Sequence, residues 1–156
     1  MTQKTPADID GDALLGLSLC AAGRTVDGWS RLLLLAALLV WLLSPRDSAS
    51  PFTTPLAIGL GFAALEAWHA LRLSIDRPVF AAWARTPAEH LPAAMRAFDA
   101  SAAWVFGRKS DDNGVRSLRE RVEGARRLFR RQIACLAIQS ISLGTSLFLT
   151  TFYAHA

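Results

Sequence analysis

Glu66 and His69 are the two residues of this sequence whose types and spacing point most directly to chemistry. Three positions separate them, so a helix places both side chains on one face. Glu66 lies six residues before Arg72 in an otherwise apolar stretch, which corresponds to a depth of roughly 9 Å at the helical rise. A carboxylate and an imidazole inside an apolar layer can relay protons or ions, or they can hold neighbouring helices together by hydrogen bonds. We prefer the second interpretation.

A polar stripe along the third apolar block of the sequence supplies partners for this pair. The stripe recurs at helical spacing and consists of Gln132, Cys135, Gln139, Ser142, Ser146 and Thr150. Gln139 lies eight residues beyond Arg131, which is close to the depth of Glu66. We therefore predict an intramembrane polar cluster of Glu66, His69, Gln139 and Ser142, formed where the second and third blocks pack together.

The Glu-x-x-His spacing also occurs in helical di-metal proteins, but such a site needs a second Glu-x-x-His and two further carboxylates. This chain has one such motif, since Glu89 and His90 are adjacent. Cys20 and Cys135 do not have metal-ligand spacing. We therefore expect neither a metal site nor a cofactor. The sequence contains no Gly-rich phosphate loop and no nucleophile elbow, so we also expect no enzymatic activity.

The elements that must position these residues are three apolar blocks. Apolar residues make up 52% of the 156 residues, although the formal net charge is +4. We predict transmembrane helices over 28–44, 55–75 and 132–153, each near the roughly 20 residues that a span needs, with the first one short. The concentration of apolar residues into blocks excludes a disordered chain, a disulfide-built protein and an ordinary globular domain.

The orientation of the chain follows from its cations. Sixteen of the 17 Lys and Arg residues lie in the segment up to Arg31 or in the segment from Arg72 to Arg131, and the remaining one is Arg46. The positive-inside rule then predicts a multi-pass protein of the bacterial inner membrane with a cytoplasmic N-terminus and a periplasmic C-terminus. The membrane explains the basic composition, so we expect no nucleic-acid partner.

Residues 1–27 are predicted to form a cytoplasmic leader, in which 1–10 are disordered and 13–22 form a short, mostly apolar helix. This helix either lies in the membrane interface or extends the first span and packs beneath it. A cleaved signal peptide is a competing interpretation of the first block. The leader is about 30 residues long and contains four aspartates, which disfavours cleavage.

The segment 76–131 is predicted to form a cytoplasmic helical hairpin. Asp76 can cap a helix that carries Pro78 at its second position. The next helix starts either at a capping box over 86–89 or near Pro92, and its apolar residues recur at helical spacing up to Val105.

A last helix is predicted to follow a polar turn and to continue into the third apolar block. Asp112 or Asn113 can cap it, and its length is then roughly 40 residues. Its apolar stripe over 115–129 can pack antiparallel against the stripe over 91–105. Four arginines are predicted to point away from that stripe: Arg116, Arg119, Arg121 and Arg126.

Four arginines next to the third block are candidate contacts for anionic lipid headgroups: Arg126, Arg127, Arg130 and Arg131. Cations beside a span attract such headgroups. The same run can instead serve only to fix the topology of the chain.

These observations predict an all-α membrane protein with three transmembrane helices and a cytoplasmic helical hairpin between the second and third. Small residues in the spans, such as Gly59 with Ala63 and Ser140 with Gly144, let helices approach closely within the chain or between chains. We expect a non-enzymatic accessory or assembly subunit that contacts anionic lipid and either other integral membrane subunits or further copies of itself. The alternative is a homo-oligomeric proton or ion transport component that uses Glu66 and His69.

Overall fold

The structure is a computed structural model that describes residues 6–43, 53–105 and 117–154. These residues form four helices: α1 (Pro6–Leu43), α2 (Thr53–Trp83), α3 (Leu91–Val105) and α4 (Leu118–Ala154). The three described ranges contain no β-strand, and α1, α2 and α4 are each long and apolar enough to cross a membrane. The predicted all-α class with three spanning helices is therefore confirmed.

Helix α1 is longer than the predicted first span. It runs without a break from Pro6 through the short apolar segment and into the first block. Of the two interpretations of 13–22, the structure shows the one in which this segment extends the span. The predicted disorder of 1–10 is wrong for 6–10, which are helical, and 1–5 lie outside the described residues. The glycines of α1 do not stabilise its helical conformation. The packing of one face of α1 against α2 and α4 supplies that stability instead.

Helix α2 passes through Asp76 and Pro78 and ends at Trp83. The prediction that Asp76 caps a new helix is wrong. A proline inside a helix removes one backbone hydrogen bond and costs about 3 kcal/mol. Phe80 and Trp83 are buried beyond this proline, and full burial of each large apolar side chain stabilises by about 1.5–3 kcal/mol. Burial of these two side chains therefore keeps the helix continuous.

The chain between α2 and α3 does not form the capping box predicted over 86–89. The hydroxyl of Thr86 donates a hydrogen bond backwards to the carbonyl of Ala82 at 2.9 Å, so Thr86 is bonded to the last turn of α2 and does not start a new helix. Helix α3 begins at Leu91 and has Pro92 in its first turn, which agrees with the second of the two predicted starts.

Helix α4 is a single helix of 37 residues, about 55 Å long, as the predicted continuation into the third block requires. Helix α4 starts with a capping box that was not predicted from the sequence. Ser117 accepts from the backbone N–H of Glu120 at 3.3 Å, and the Glu120 carboxylate accepts from the N–H of Ser117 at 2.8 Å. The predicted caps Asp112 and Asn113 lie outside the described residues.

Helices α1, α2 and α4 pack against one another in all three pairs. Gly16 faces the ring of Phe80 and Gly23 faces Leu73, so α2 runs antiparallel to α1. Buried positions repeat every seven residues on α1 at Gly16, Gly23, Ser30 and Ala37, and on α4 at Leu118, Ala125, Gln132, Gln139 and Ser146. A seven-residue repeat of buried positions is typical of left-handed helix bundles.

The bundle has two parts, one with an apolar interior and one with a largely polar interior. We call residues 11–23, 73–105 and 117–131 the head, and residues 24–43, 53–72 and 132–152 the stem. The core of the head is apolar and consists of Ala13, Cys20, Leu73, Phe80, Trp83, Leu91, Met95, Leu118, Val122 and Ala125. The interior of the stem is largely polar, and large apolar side chains such as Leu35, Ile141 and Phe148 are exposed on its surface. This distribution is expected of a head in water and a stem in lipid.

Helix α3 belongs to the head and is attached to it through side chains. Leu91 and Met95 are buried with Leu118 and Val122 in the head core, which agrees with the predicted apolar stripes. The backbones of α1, α2 and α4 approach one another closely at many positions, whereas the backbone of α3 comes that close to the long helices at very few. The predicted antiparallel hairpin of α3 with α4 is therefore not confirmed.

Candidate functional site

The interior of the stem contains the predicted polar residues. Glu66 is 1% exposed, and His69, Gln139 and Ser142 are also buried. The same interior includes three residues outside the predicted cluster: Ser30, Gln132 and Ser146. Since lipid provides no hydrophobic force between helices, small residues and hydrogen bonds are what hold such an interface together.

The carboxylate of Glu66 binds Gln132, and Gln139 binds elsewhere. The amide nitrogen of Gln132 donates to Oε1 of Glu66 at 2.8 Å. Glu66 and Gln139 are both buried in the stem, as members of the predicted cluster, and the hydrogen bonds of Gln139 go to Ser30.

Gln139 pairs with Ser30 on α1, a residue that the sequence analysis did not single out. The Ser30 hydroxyl lies 3.0 Å from Oε1 and 2.9 Å from Nε2 of Gln139. The missed signal is the seven-residue spacing of small residues on α1, in which Ser30 follows Gly23 and precedes Ala37. Through Ser30, all three long helices contribute to one polar core.

Ser142 packs against α2 at Gly59, where a Cβ atom would lie 3.2 Å from the Cβ of Ser142. The Ser146 hydroxyl donates to the carbonyl of Ser142 at 2.9 Å, and the Thr150 hydroxyl donates to the carbonyl of Ser146 at 2.8 Å. The hydroxyl groups of Ser146 and Thr150 therefore form their hydrogen bonds within α4. Small side chains are then left at the contact of this part of α4 with α2.

Two buried polar atoms in this core have no hydrogen-bond partner within the described structure: Nδ1 of His69 and Oε1 of Gln132. The Gln132 oxygen points at the space above Gly23, where a Cβ atom would lie only 2.9 Å away. Gly23 therefore permits the close approach of α1 and α4. The unpartnered His69 nitrogen lies one turn from Glu66 on the same face of α2.

No three His, Cys, Asp or Glu side chains come together as metal ligands within 6–43, 53–105 and 117–154. Cys20 and Cys135 are both buried and free.

A second polar feature lies in the head, centred on Arg121. Its guanidinium binds both carboxylate oxygens of Asp99 at 2.5 and 2.6 Å. It also lies over the ring of Trp83, 5.1 Å from the centroid, and 5.9 Å from that of Phe98. The prediction that Arg121 points away from the apolar face is wrong, since its side chain is only 12% exposed. This arrangement fastens α3 to α2 and α4.

The outward face of α3 carries a stripe of Ala93, Ala97, Ala100 and Trp104, spaced by four, three and four residues and flanked by the exposed Arg96 and Ser101. All four are exposed, and Trp104 is 86% exposed. The head therefore presents a small-residue helix face with a large aromatic side chain at one end.

The four predicted lipid-contact arginines, Arg126, Arg127, Arg130 and Arg131, are all exposed on α4. Gly23 meets both Leu73 and Gln132, so the neighbouring Arg24, Arg72 and Arg131 lie within about one turn of a common level. These three side chains are exposed, and we call them the arginine ring. Arg24 and Arg72 therefore lie at the junction of head and stem, close to the level of the four arginines on α4.

Comparison with known proteins does not assign this chain to a family. No protein-family model matches the sequence, and no curated protein or solved structure is significantly similar to it.

Proposed function

We propose that this protein is a non-enzymatic accessory or assembly subunit of a larger complex in the bacterial inner membrane, with the head in the cytoplasm and the C-terminus in the periplasm. The observation that carries the proposal is the exposed α3 face that ends in Trp104. An indole buries 150–250 Å² in a protein contact, and tryptophan is enriched among the residues that dominate binding energy. The alanines beside it let a partner helix approach closely.

The polar core of the stem supports the same proposal. Ser30 binds Gln139, and Glu66 binds Gln132. These contacts use the polar side chains to hold the three helices together, as expected of a structural role. The charge distribution supports a cytoplasmic head. The exposure of Arg126, Arg127, Arg130 and Arg131 on α4 supports contact with anionic headgroups, which exposed cations beside a span attract.

The test is recovery of partner proteins from membranes solubilised in mild detergent. Wild-type protein is expected to recover other integral membrane chains in stoichiometric amounts. Trp104→Ala and Ala97→Glu should reduce that recovery at least tenfold. The control Ala82→Glu introduces the same charge at an exposed alanine of α2 and should leave recovery unchanged. Equal recovery with Trp104→Ala and wild type would contradict the role of α3.

A second candidate function is proton or ion transport by a homo-oligomer. The unpartnered Nδ1 of His69 beside the buried Glu66 favours it, because an intramembrane ionisable pair with free hydrogen-bonding capacity can carry protons. Purified protein reconstituted alone into vesicles should then conduct protons, and Glu66→Gln should abolish the flux. A flux equal to that of empty vesicles would exclude this candidate.

A further inference from the structure

Arg72 and Arg131 form a pair of cations at the boundary between α2 and α4. Both side chains are exposed, and both positive charges act on the imidazole of His69, so the two arginines lie near one ring. Arg72 also acts on Asp76, one turn further into the head. Neither guanidinium group forms an ion pair with the described residues. The pair is therefore without a direct anionic partner in the part of the chain that the structure describes.

His69, which lies close to both arginines, has an unused hydrogen-bonding atom. The residue is 8% exposed, and its Nδ1 atom has no partner within the described structure. Buried polar atoms are rarely left in this state. An imidazole N–H and the guanidinium groups are all hydrogen-bond donors, and charged donors bind anionic oxygens most strongly. The three side chains therefore have the donors that an anion requires.

These three side chains lie at the junction of head and stem. Arg72 and Arg131 belong to the arginine ring, and Arg131 is adjacent to Gln132, whose amide binds Glu66 of α2. Cations beside a span attract anionic lipid headgroups. The phosphate of a phospholipid that surrounds the stem lies at this level of the bundle.

The stem surface beneath the two arginines is apolar. Leu65 precedes Arg72 by seven residues, and Ile138 follows Arg131 by seven. Each of them therefore lies on the same face of its helix as the arginine and about 10 Å deeper in the stem. Leu65 is exposed and Ile138 is partly exposed. This combination fits a ligand with a phosphate at one end and hydrocarbon at the other.

We infer that Arg72, His69 and Arg131 bind the phosphate of one anionic phospholipid. Its acyl chains then lie along α2 and α4 over Leu65 and Ile138. Since Nδ1 of His69 is covered in the structure, the ring turns toward the two guanidinium groups when the phosphate binds. The inference rests on the part of the proposed function that places the stem in a membrane, and it does not depend on a protein partner.

The headgroup must carry a net negative charge. A zwitterionic headgroup brings an ammonium group next to the two guanidinium groups, and like charges repel. An anionic headgroup with an uncharged alcohol beside its phosphate avoids this repulsion.

The geometry separates Arg131 from its neighbour Arg130. Gln132 points at Glu66 of α2. Arg131 lies about 100° around α4 from Gln132, whereas Arg130 lies about 200° around the helix. Arg130 is exposed on the side of α4 that faces away from α2. The two residues have the same charge at adjacent positions, so Arg130 is a matched control for Arg131.

The first experiment is native mass spectrometry of the full-length protein in detergent, titrated with phosphatidylglycerol or phosphatidylcholine. We expect wild-type protein to retain one phosphatidylglycerol molecule and to bind phosphatidylcholine at least tenfold more weakly. Arg72→Gln and Arg131→Gln should weaken the retention of phosphatidylglycerol at least tenfold, whereas Arg130→Gln should not. Equal weakening by Arg130→Gln and Arg131→Gln would overturn the defined site and leave the more general lipid contact of the proposed function standing.

Two variants of His69 test the third donor in the same titration. His69→Asn keeps an amide N–H close to the position of Nδ1 and should retain most of the binding. His69→Leu removes the donor and should weaken binding at least fivefold. Wild-type affinity in His69→Leu, or equal losses in both variants, would overturn the site that includes His69.

The second experiment distinguishes a bound lipid from a free phosphate. It uses phosphatidylglycerol with a photoreactive acyl chain, diluted into phosphatidylcholine nanodiscs that contain the wild-type protein. We expect labelling near Leu65 and Ile138 that exceeds labelling near Leu35, which is exposed on α1, and that persists with an equal concentration of inorganic phosphate. Displacement by inorganic phosphate, or equal labelling near Leu35 and Leu65, would overturn the inference. Recovery of partner proteins by wild-type protein tests the proposed function independently of either result.

Discussion

Small residues on α1 determine how closely the three long helices approach. Gly16 illustrates the constraint, because a Cβ atom there would lie 2.5 Å from two ring carbons of Phe80. That ring is buried in the head core and packs edge-to-face on Trp83 at 5.7 Å, so it cannot move aside freely.

Gly16→Ala is therefore expected to destabilise the bundle by about 1–3 kcal/mol through overpacking. Gly11→Ala is the matched control on the same helix, since nothing lies within 4 Å of its Cβ position, and it should stabilise by about 0.5–1 kcal/mol. Thermal unfolding in detergent, followed by tryptophan fluorescence, measures both. Equal shifts for the two variants would show that the Phe80 contact does not limit packing.

Glu66 gives a second residue-level prediction. Glu66→Gln keeps an oxygen for the amide of Gln132 and should change stability little. Glu66→Leu leaves that buried amide without its acceptor, and we expect a loss of about 1–3 kcal/mol. The measurement is again thermal unfolding, and Gln132→Leu in the Glu66→Leu background should recover part of the loss. Loss of function in Glu66→Gln with unchanged stability would favour protonation chemistry over packing.

At the scale of elements, the sequence predicts which segments are helices better than how far they extend. The apolar blocks and the spacing of Leu91, Met95, Leu118 and Val122 identify spans and apolar stripes. Asp76 and Pro78 have the local signature of a new helix start, but burial of Phe80 beyond them overrides it. Whether one helix continues depends on tertiary burial, which local signals do not contain.

In the polar core, the sequence predicts which residues are buried better than which of them form pairs. The residue types of Glu66, His69 and Gln139 indicate that they avoid lipid, and all three are buried. Which of them pair depends on the register between helices and on side-chain reach. The seven-residue spacing of Gly23, Ser30 and Ala37 is visible in the sequence and would have indicated that α1 contributes to this core.

One side chain of α4 connects helix α3 to both α4 and α2. Arg121 joins Asp99 of α3 to the ring of Trp83 on α2. Arg121→Ala is expected to loosen α3 and to increase amide hydrogen exchange over 91–105 at least tenfold, with little change in the stem. Arg119→Ala removes an exposed arginine of the same helix and serves as control. Unchanged exchange in α3 would mean that Leu91 and Met95 suffice to hold it.

At the scale of the whole molecule, head and stem differ in what stabilises them. The head core is apolar, as expected of burial from water, whereas the stem interior is largely polar, as expected of helices that hydrogen bonds and close contacts hold together in lipid. The arginine ring lies where the two meet, and among the other cations that the structure describes, all except Arg31 belong to the head. Under the positive-inside rule, this distribution predicts one orientation of the chain in a membrane.

That orientation predicts the outcome of reporter fusions in a bacterial host. A reporter that is active only in the periplasm should be active when fused after Ala156 and inactive when inserted near Asn113. A matched reporter that is active only in the cytoplasm should give the opposite pattern. Activity of the periplasmic reporter at Asn113 would reverse the topology.

Native mass spectrometry of the wild-type protein shows whether this chain works as one subunit among others. Extracted from membranes in mild detergent, the protein should appear in a complex whose mass equals whole-number multiples of this chain plus at least one different integral membrane chain. A spectrum that contains this chain alone, as monomer or homo-oligomer, would mean that it is not a subunit of a larger complex.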